Sequence, residues 1–478
     1  MGLSVIAASV AAVVLLRGRA RRSVRAARNL DTARLGARMG AGWATLQARR
    51  VFASAERKEA LDAEFELKSS EEVAAALGNM KGVMMKLGQM LSYVDENVPE
   101  PVRDALASLQ QDAPPMAAEL AAGVIERELG APPEKVFAEW DPVPIAAASI
   151  GQVHRAITHD DIAVAVKVQY PGVDDAIKAD LDNYDFFASM AAMLFPNIEI
   201  GPFIDEIRDR ITEELDYRIE ASNQQLFYDY YEGHPFFRIP RVLHELSSGR
   251  VLTTELHTGA RFAELDEWSQ DERNLAAEAI DRFVFRSFYR LHAFNGDPHP
   301  GNYLFHGGGV VTFLDFGLVK RFTPDEMEMF EQMAEAIAVK HDGAAYRALL
   351  EKHGVVEPDS GLHDDELIDL FGYYYDPVME DGEYTFTLEY ASEAMKKFIP
   401  FGPGATPELR KFSKALRAPP PSIAILQRIN VGMTAVMAHL GATGNWRRIG
   451  EELWVFTSAS PSTDMGEKEA AWLAGRAG

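Results

Sequence analysis

The chain has 478 residues, 47% hydrophobic and 25% charged, a composition that excludes disordered and collagen-like classes and leaves room for two or three compact units. Its 48 basic against 72 acidic side chains give a net charge of -24, which argues against nonspecific nucleic-acid binding. With no cysteine, disulfide frameworks, zinc–thiolate sites, iron–sulfur clusters and cysteine nucleophiles are excluded.

The first 58 residues carry twelve basic and two acidic side chains, so this stretch is +10 and the remainder is -34. It opens with an apolar run, Leu3 to Leu16, broken only by Ser4 and Ser9 and followed by an arginine cluster. As a helix the run would be ~21 Å long, short of the ~30 Å hydrocarbon core, and it lacks the positive leader of a secretory signal. It reads either as a short anchor whose arginines stay on the cytoplasmic face, or as an apolar helix packed on the protein's own body or a partner. Ile6 stands where a myristoylation signal needs Ser or Thr.

From Val73 to Val94 apolar residues recur at steps of four and three, which predicts a packed amphipathic helix. Gly78, Gly82, Lys86 and Gln89 run beside that stripe, a small-residue edge that would let another surface approach. Alone, Lys86 reads as well as a solvated lysine on a bundle helix.

Proline-rich punctuation follows, then Ala146-Ala147-Ala148-Ser149-Ile150-Gly151-Gln152-Val153. The run Ile162 to Val168 alternates with period two and predicts a strand. Ile162, Val164, Val166 and Val168 take one face; Ala163, Ala165 and Lys167 take the other. A lysine amid apolar residues needs an anionic partner, a carboxylate or a phosphate, because an unpaired buried ammonium is costly. The small Ala165 leaves room for a flat ring on the same face.

Ile204, Ile207, Ile211 and Leu215 imply a helix carrying Glu213, Glu214, Asp216 and Glu220, with the last two one turn apart. By themselves these acids would form a solvated face. A second helix over Ile280 to Leu291 ends in the stretch His292 to Asn302, which contains Asp297. Tyr303–Phe305 and Val310–Leu314 then read as a hairpin around His306-Gly307-Gly308-Gly309, running into Asp315-Phe316-Gly317. The chain has no G-x-S-x-G elbow and no P-loop, so hydrolase and P-loop chemistry do not compete.

In order, a strand Lys, a helix Glu, an Asp five residues before an Asn, and Asp-Phe-Gly after a hairpin form one constellation. A nucleoside triphosphate needs a cation on its α/β phosphates, fixed by a carboxylate, while Mg²⁺ needs hard oxygen ligands such as Asn and Asp. A remaining Asp can accept a proton from an attacking hydroxyl or water.

These motifs resemble the UbiB atypical kinase family, associated with ubiquinone and isoprenoid-lipid metabolism, over roughly residues 70 to 455. Lys86-Leu87-Gly88-Gln89 is similar to its K-x-G-Q signature, Ala146–Val153 to its alanine-rich nucleotide loop, Glu214-Leu215-Asp216 to E-x-D, and Asp297–Asn302 to its catalytic loop. The resemblance implies an α+β, protein-kinase-like bilobal fold, with an antiparallel N-lobe sheet, a mostly helical C-lobe and a helical N-terminal extension. The implied layout is a basic segment 1–60, a K-x-G-Q extension 61–140, an N-lobe 141–258, a C-lobe 259–457 and a flexible tail 458–478.

By the same resemblance, Ala146, Ala147, Ala148 and Ser149 cover the nucleotide, and Lys167 holds its phosphates with Glu220 as partner. Glu255 marks the adenine-binding hinge, Asn302 and Asp315 bind the metal, and Asp297 is the catalytic carboxylate. Lys86 and Gln89 are regulatory, folding over the site toward Glu214 and Asp216. An alanine-rich loop lacks the backbone freedom of a glycine loop, so protein phosphorylation is not the expected activity. The expectation is an ATP- and Mg²⁺-dependent ATPase or small-molecule kinase supporting isoprenoid-quinone or other lipid biosynthesis. A nucleotide-gated scaffold and a protein kinase are the alternatives. Nucleotide, membrane lipid or isoprenoid intermediate, and lipid-biosynthesis enzymes are the expected partners. The expected location is cytoplasmic, at a membrane contacted through the N-terminus, since the polar tail holds no membrane span.

Overall fold

The computed structural model describes residues 117–148, 150–173, 212–295, 299–358, 360–398 and 421–476. Those from 117 to 171 and from 212 to 476 belong to one compact unit. The apolar run at 3–16, the seam from Val73 to Val94, Lys86, Gln89, Ser149 and Asp297 lie outside the described residues.

The chain is α+β, an antiparallel sheet followed by a mostly helical region. The sheet has four strands in the order β1 (Glu139–Ala148), β2 (Gly151–Ile157), β3 (Ala163–Gln169) and β5 (Val251–Glu255). The period-two alternation of β3 decides its faces: Val164, Val166 and Val168 are fully buried, while Lys167 sits half-buried on the other side. Burying each valine contributes roughly 1.5–3 kcal/mol. Helix α1 (Ala118–Leu129) covers the valine face through Ala121, Val124 and Ile125, one turn apart. It therefore belongs with the sheet, although the expected boundaries put it in the extension. It stops at Gly130, whose φ of 83° is the left-handed cap geometry that glycine adopts without strain.

Ala146, Ala147 and Ala148, expected in a loop, are instead the last residues of β1, paired with Val153, Gln152 and Gly151. Only a two-residue connection separates the strands. Gly151 fits because a Cβ there would lie 2.2 Å from the Val168 carbonyl oxygen. Register shifts at Pro144 bend β1, as expected of an edge strand carrying proline.

The expected acidic helix through Leu215 is corrected. The turn before Asp216 ends at Leu215, and a new helix, α2, runs Tyr217–Tyr231 with Asp216 as its N-cap. The Asp216 side chain accepts from the Arg218 backbone N–H at 3.1 Å, so Asp216 and Glu220 do not share a helical turn. Tertiary pull explains the break: Gln169 Nε2, at the end of β3, donates to the Leu215 carbonyl at 3.1 Å.

The helical region is built on α3 (Gln270–Leu291), capped by Ser269 and ended by His292 in the left-handed conformation. Its Phe283 stacks on Phe313 with ring centroids 3.6 Å apart. The parallel pair β4 (Phe237–Arg238) with β8 (Val310–Phe313), the hairpin of β7 (Tyr303–His306) with β8, and the pair β6 (Ala293–Asn295) with β9 (Val319–Arg321) line its other flank. The 303–314 hairpin forms where expected, although His306, expected in the turn, ends β7 opposite Val310. Helices α4 (Pro421–Leu440) and α5 (Trp446–Leu453) complete the core.

The tail expected to be flexible over 458–478 instead holds helix α6 (Asp464–Arg476), with Met465 and Glu469 buried. Glu469 bonds Arg286 at 2.9 and 3.0 Å and Arg282 at 3.0 Å. Those partners lie more than 180 residues upstream, so a local reading sees only a polar stretch.

Candidate active site

Lys167 rises from the half-buried face of β3 toward the first turn of α2. Its Nζ lies 2.9 Å from both Glu220 carboxylate oxygens and 3.6 Å from Asp315 Oδ2. Thus residues 53 and 148 positions away in sequence meet on one ammonium. Glu220 is 7% exposed and Asp315 33%, so the cluster opens toward solvent on the Asp315 side.

Among the described residues, the Lys167 ammonium stands between the Glu220 and Asp315 carboxylates. Burial pushes the Glu220 carboxyl up to about 7, Asp315 adds to the push, and Lys167 opposes it. Burial disfavours the charged Lys167 ammonium, but Glu220 and Asp315 outweigh it and hold the amine protonated well above its ordinary range. The two groups are coupled, so the protons belong to the cluster as a whole.

Asp315 is fixed from several directions. Its Oδ1 accepts from the Gly317 N–H at 2.8 Å, and its carbonyl accepts from Asn295 Nδ2 at 2.7 Å. The next residue, Phe316, is fully buried with its ring 5.0 Å from Phe227 of α2, and its carbonyl accepts from Asn223 Nδ2 at 3.2 Å. The helix that holds Glu220 therefore also holds the segment bearing Asp315. Asn302 comes to the same place through the backbone: its carbonyl accepts from the Leu314 N–H at 3.0 Å, one residue before Asp315.

Other expected site residues make contacts of their own. Glu255 ends β5; its N–H donates to the Arg241 carbonyl at 3.0 Å and its carboxylate accepts from Arg241 Nε at 3.1 Å. The Leu256 N–H is also used, by the Ala163 carbonyl at 2.9 Å. Ala146 and Ala147 are exposed and Ala148 half-buried at the tip of the β1–β2 hairpin. Glu214 is half-buried just before the break. The Asp216 carboxylate is bidentate with the Arg218 guanidinium at 2.8 and 2.6 Å, and that bond holds its pKa below the ordinary carboxylate value.

Sequence reasoning missed three contributors. Tyr217 is 2% exposed, its ring centroid 5.1 Å from Lys167 Nζ, and its hydroxyl has no hydrogen-bond partner among the described residues. Its place one residue after Asp216 was the available signal. Asn223 and Gln169 carried none, because only the fold shows that they tie α2 to Phe316 and to β3. Beneath the hairpin, buried His154 joins Gln152 at 2.8 Å and the Asp141 carbonyl at 2.9 Å, ties that stiffen the β1–β2 pair, and burial lowers its pKa.

The donor set can be tested against a nucleotide with magnesium. No group of three His, Cys, Asp or Glu side chains among the described residues could hold a metal alone. Asp315 with Asn302 would supply two hard oxygens, the number magnesium takes from proteins when phosphates complete its shell. The residues present fit such a group.

An antiparallel sheet with a strand lysine paired to a helix glutamate, and a mostly helical second part presenting an aspartate after a hairpin, define a protein-kinase-like fold. Comparison with known proteins agrees. Residues 108–349, just over half of the chain, match the ABC1 atypical kinase-like domain. Rat mitochondrial atypical kinase COQ8B is 30% identical over 379 residues, covering 78% of this chain and 70% of the relative. Yeast (Saccharomyces cerevisiae) mitochondrial atypical kinase COQ8 is 26% identical over 388 residues, 81% of this chain and 76% of the relative. Among solved structures, Rv3197 of Mycobacterium tuberculosis in complex with erythromycin matches with a TM-score of 0.59 and 29% identity, covering 83% of this chain and 98% of that one. The chain belongs to the ABC1 atypical kinase-like, or UbiB, family.

Proposed function

We propose that this chain binds ATP with magnesium at the Lys167–Glu220–Asp315 cluster. It would act there as an ATPase or small-molecule kinase supporting isoprenoid-quinone or other membrane-lipid biosynthesis. The observation that carries the reading is the meeting of Lys167 Nζ with Glu220 at 2.9 Å and Asp315 at 3.6 Å. Glu220 holds the ammonium in place, so that Lys167 can neutralise the α/β phosphates without first being ordered. Asp315 and Asn302 would hold the magnesium, which when bound spreads charge off the phosphate oxygens. Asp297 accepts the proton of the attacking hydroxyl or water at a carboxylate oxygen. Ala146, Ala147, Ala148 and Ser149 cover the phosphates from the hairpin tip, and Glu255 meets the adenine through its carbonyl, its N–H being engaged with Arg241. Lys86 and Gln89 would have the regulatory role that their likeness to the K-x-G-Q signature implies.

The membrane-lipid part rests on kinship with the mitochondrial COQ8 kinases and on the basic, apolar N-terminal stretch. No described helix is long and apolar enough to cross a membrane, so contact with lipid is assigned to residues 1–60. A thermal-shift assay with ATP, with and without Mg²⁺, tests the site. Wild type should be stabilised by nucleotide, and Lys167→Ala and Asp315→Asn should lose that shift; no shift in wild type ends the reading. Steady hydrolysis with lipid vesicles, lost in Asp315→Asn, separates turnover from a scaffold.

A further inference from the structure

Helix α2 carries Glu220 in its first turn, and its last turn contains no basic residue. The carbonyls at a helix C-terminus need donors and favour a cation, and α2 supplies neither; Asp229 and Glu232 near that end are acidic. The Tyr231 carbonyl accepts from the nearby His234 N–H at 2.9 Å, and the donors to the Asp229 and Glu232 carbonyls come from the far end of the chain. Arg476, in the last turn of α6, donates from Nη2 to the Asp229 carbonyl at 3.2 Å and from Nη1 to the Glu232 carbonyl at 3.3 Å. Trp472 Nε1 donates to the same Glu232 carbonyl at 3.4 Å, and its indole stacks on Tyr231 at 6.2 Å with the planes 15° apart. The Arg476 guanidinium covers both the Trp472 and Tyr230 rings.

The base of α6 is anchored independently. Glu469, one turn before Trp472, is held by Arg282 and Arg286 of α3. The helix therefore joins the end of α2 to a fixed point in the helical region. Tyr231 adds a direct bond to Ser287 of α3 at 2.7 Å. A rigid helix of 15 residues transmits the placement of one end to the other, about 20 Å away.

We infer that α6 is a positioning element for the nucleotide site: it caps α2 from outside and thereby fixes where Glu220 meets Lys167. Trp472 and Arg476 touch neither ammonium nor carboxylate and act only through α2. The consequence for nucleotide rests on the function proposed above; the mechanical claim does not.

The test uses the full chain with Arg476→Ala, Arg476→Lys and Trp472→Phe, which keeps the ring and removes its N–H. Arg476 is exposed and its replacement leaves the α3 anchor intact. Hydrogen exchange should accelerate several-fold at amides 217–223 in Arg476→Ala, and Arg476→Lys should restore much of the protection. Mg-ATP affinity should fall about five-fold. Adding Arg476→Ala to Glu220→Gln should cost affinity no further, since Arg476 acts only through that contact. Faster exchange confined to residues 229–234, or additive losses in the double variant, would overturn the inference. If wild type binds no nucleotide, the proposed function fails while exchange at 217–223 still decides this one.

Discussion

Lys167 and Arg282 are both cations set among carboxylates inside the protein, and their surroundings differ in one respect. Arg282 is fully buried and every guanidinium nitrogen is used: Nε by Glu278 at 2.7 Å, Nη1 by Glu469 at 3.0 Å, Nη2 by Glu452 at 2.8 Å and Thr463 at 3.1 Å. Arg286 then supplies a second guanidinium to Glu469. Burial pushes Glu469 up, yet His234 and the two arginines overcome it and hold the carboxyl down at about 2. At Lys167 one ammonium meets Glu220 and Asp315, and burial pushes the Glu220 carboxyl up to about 7. The Arg282 cluster is closed off from water and holds elements together, whereas the Lys167 cluster opens to solvent on the Asp315 side, where a ligand can reach it.

The sharpest way to break this comparison is to remove each cation. Arg282→Met leaves buried carboxylates without partners and should cost ~3–5 kcal/mol in chemical denaturation. Lys167→Met should cost far less, because Glu220 can take a proton; equal losses would erase the distinction.

The next effect is in pH. Glu220 binds its proton more tightly when folded than when unfolded, about 7 against 4.5, so its contribution is full below pH 4.5 and is lost as pH rises through 7. Glu469 is the reverse: its contribution is present above pH 4.5 and lost as pH falls toward 2. Stability measured from pH 5 to 8 should therefore decline by up to about 3 kcal/mol, and Glu220→Gln should flatten that decline. An unchanged slope in the variant would assign the titration elsewhere.

Nucleotide comes third. At a hundred times its dissociation constant, Mg-ATP should stabilise wild type by about 2.7 kcal/mol and Lys167→Met or Asp315→Asn by nearly nothing. Equilibrium unfolding with and without ligand reads this directly, and a retained gain in either variant would move the site. Smallest is the ligand-free effect of Asp315→Asn. Relieving its repulsion with Glu220 should raise stability by about 1 kcal/mol, a rise of about 2 °C in Tm. Calorimetry finding a loss instead would mean that the bonds of Asp315 to Lys167 and the Gly317 N–H outweigh that repulsion.

Local features were legible from the sequence in proportion to how local their causes are. The alternation in β3, the periodic core of α3 and the glycine turn of the 303–314 hairpin each follow from neighbouring residues, and the structure has them where expected. The break at Leu215 and Asp216 was not legible, because Gln169 draws the Leu215 carbonyl away from the helix. Nor was the docking of α6, whose buried Glu469 looks like any surface glutamate until Arg282 and Arg286 are beside it.

The order of residue types along the chain determined the family, the strand bearing Lys167 and the hairpin bearing Asp315, because periodicity and motif spacing are written in consecutive residues. Only the tertiary structure decided that Lys167 meets Glu220 and Asp315, that Tyr217 lies under the ammonium and that Arg476 caps α2. Charge pairing and desolvation depend on distance in space, and no spacing in sequence sets that distance.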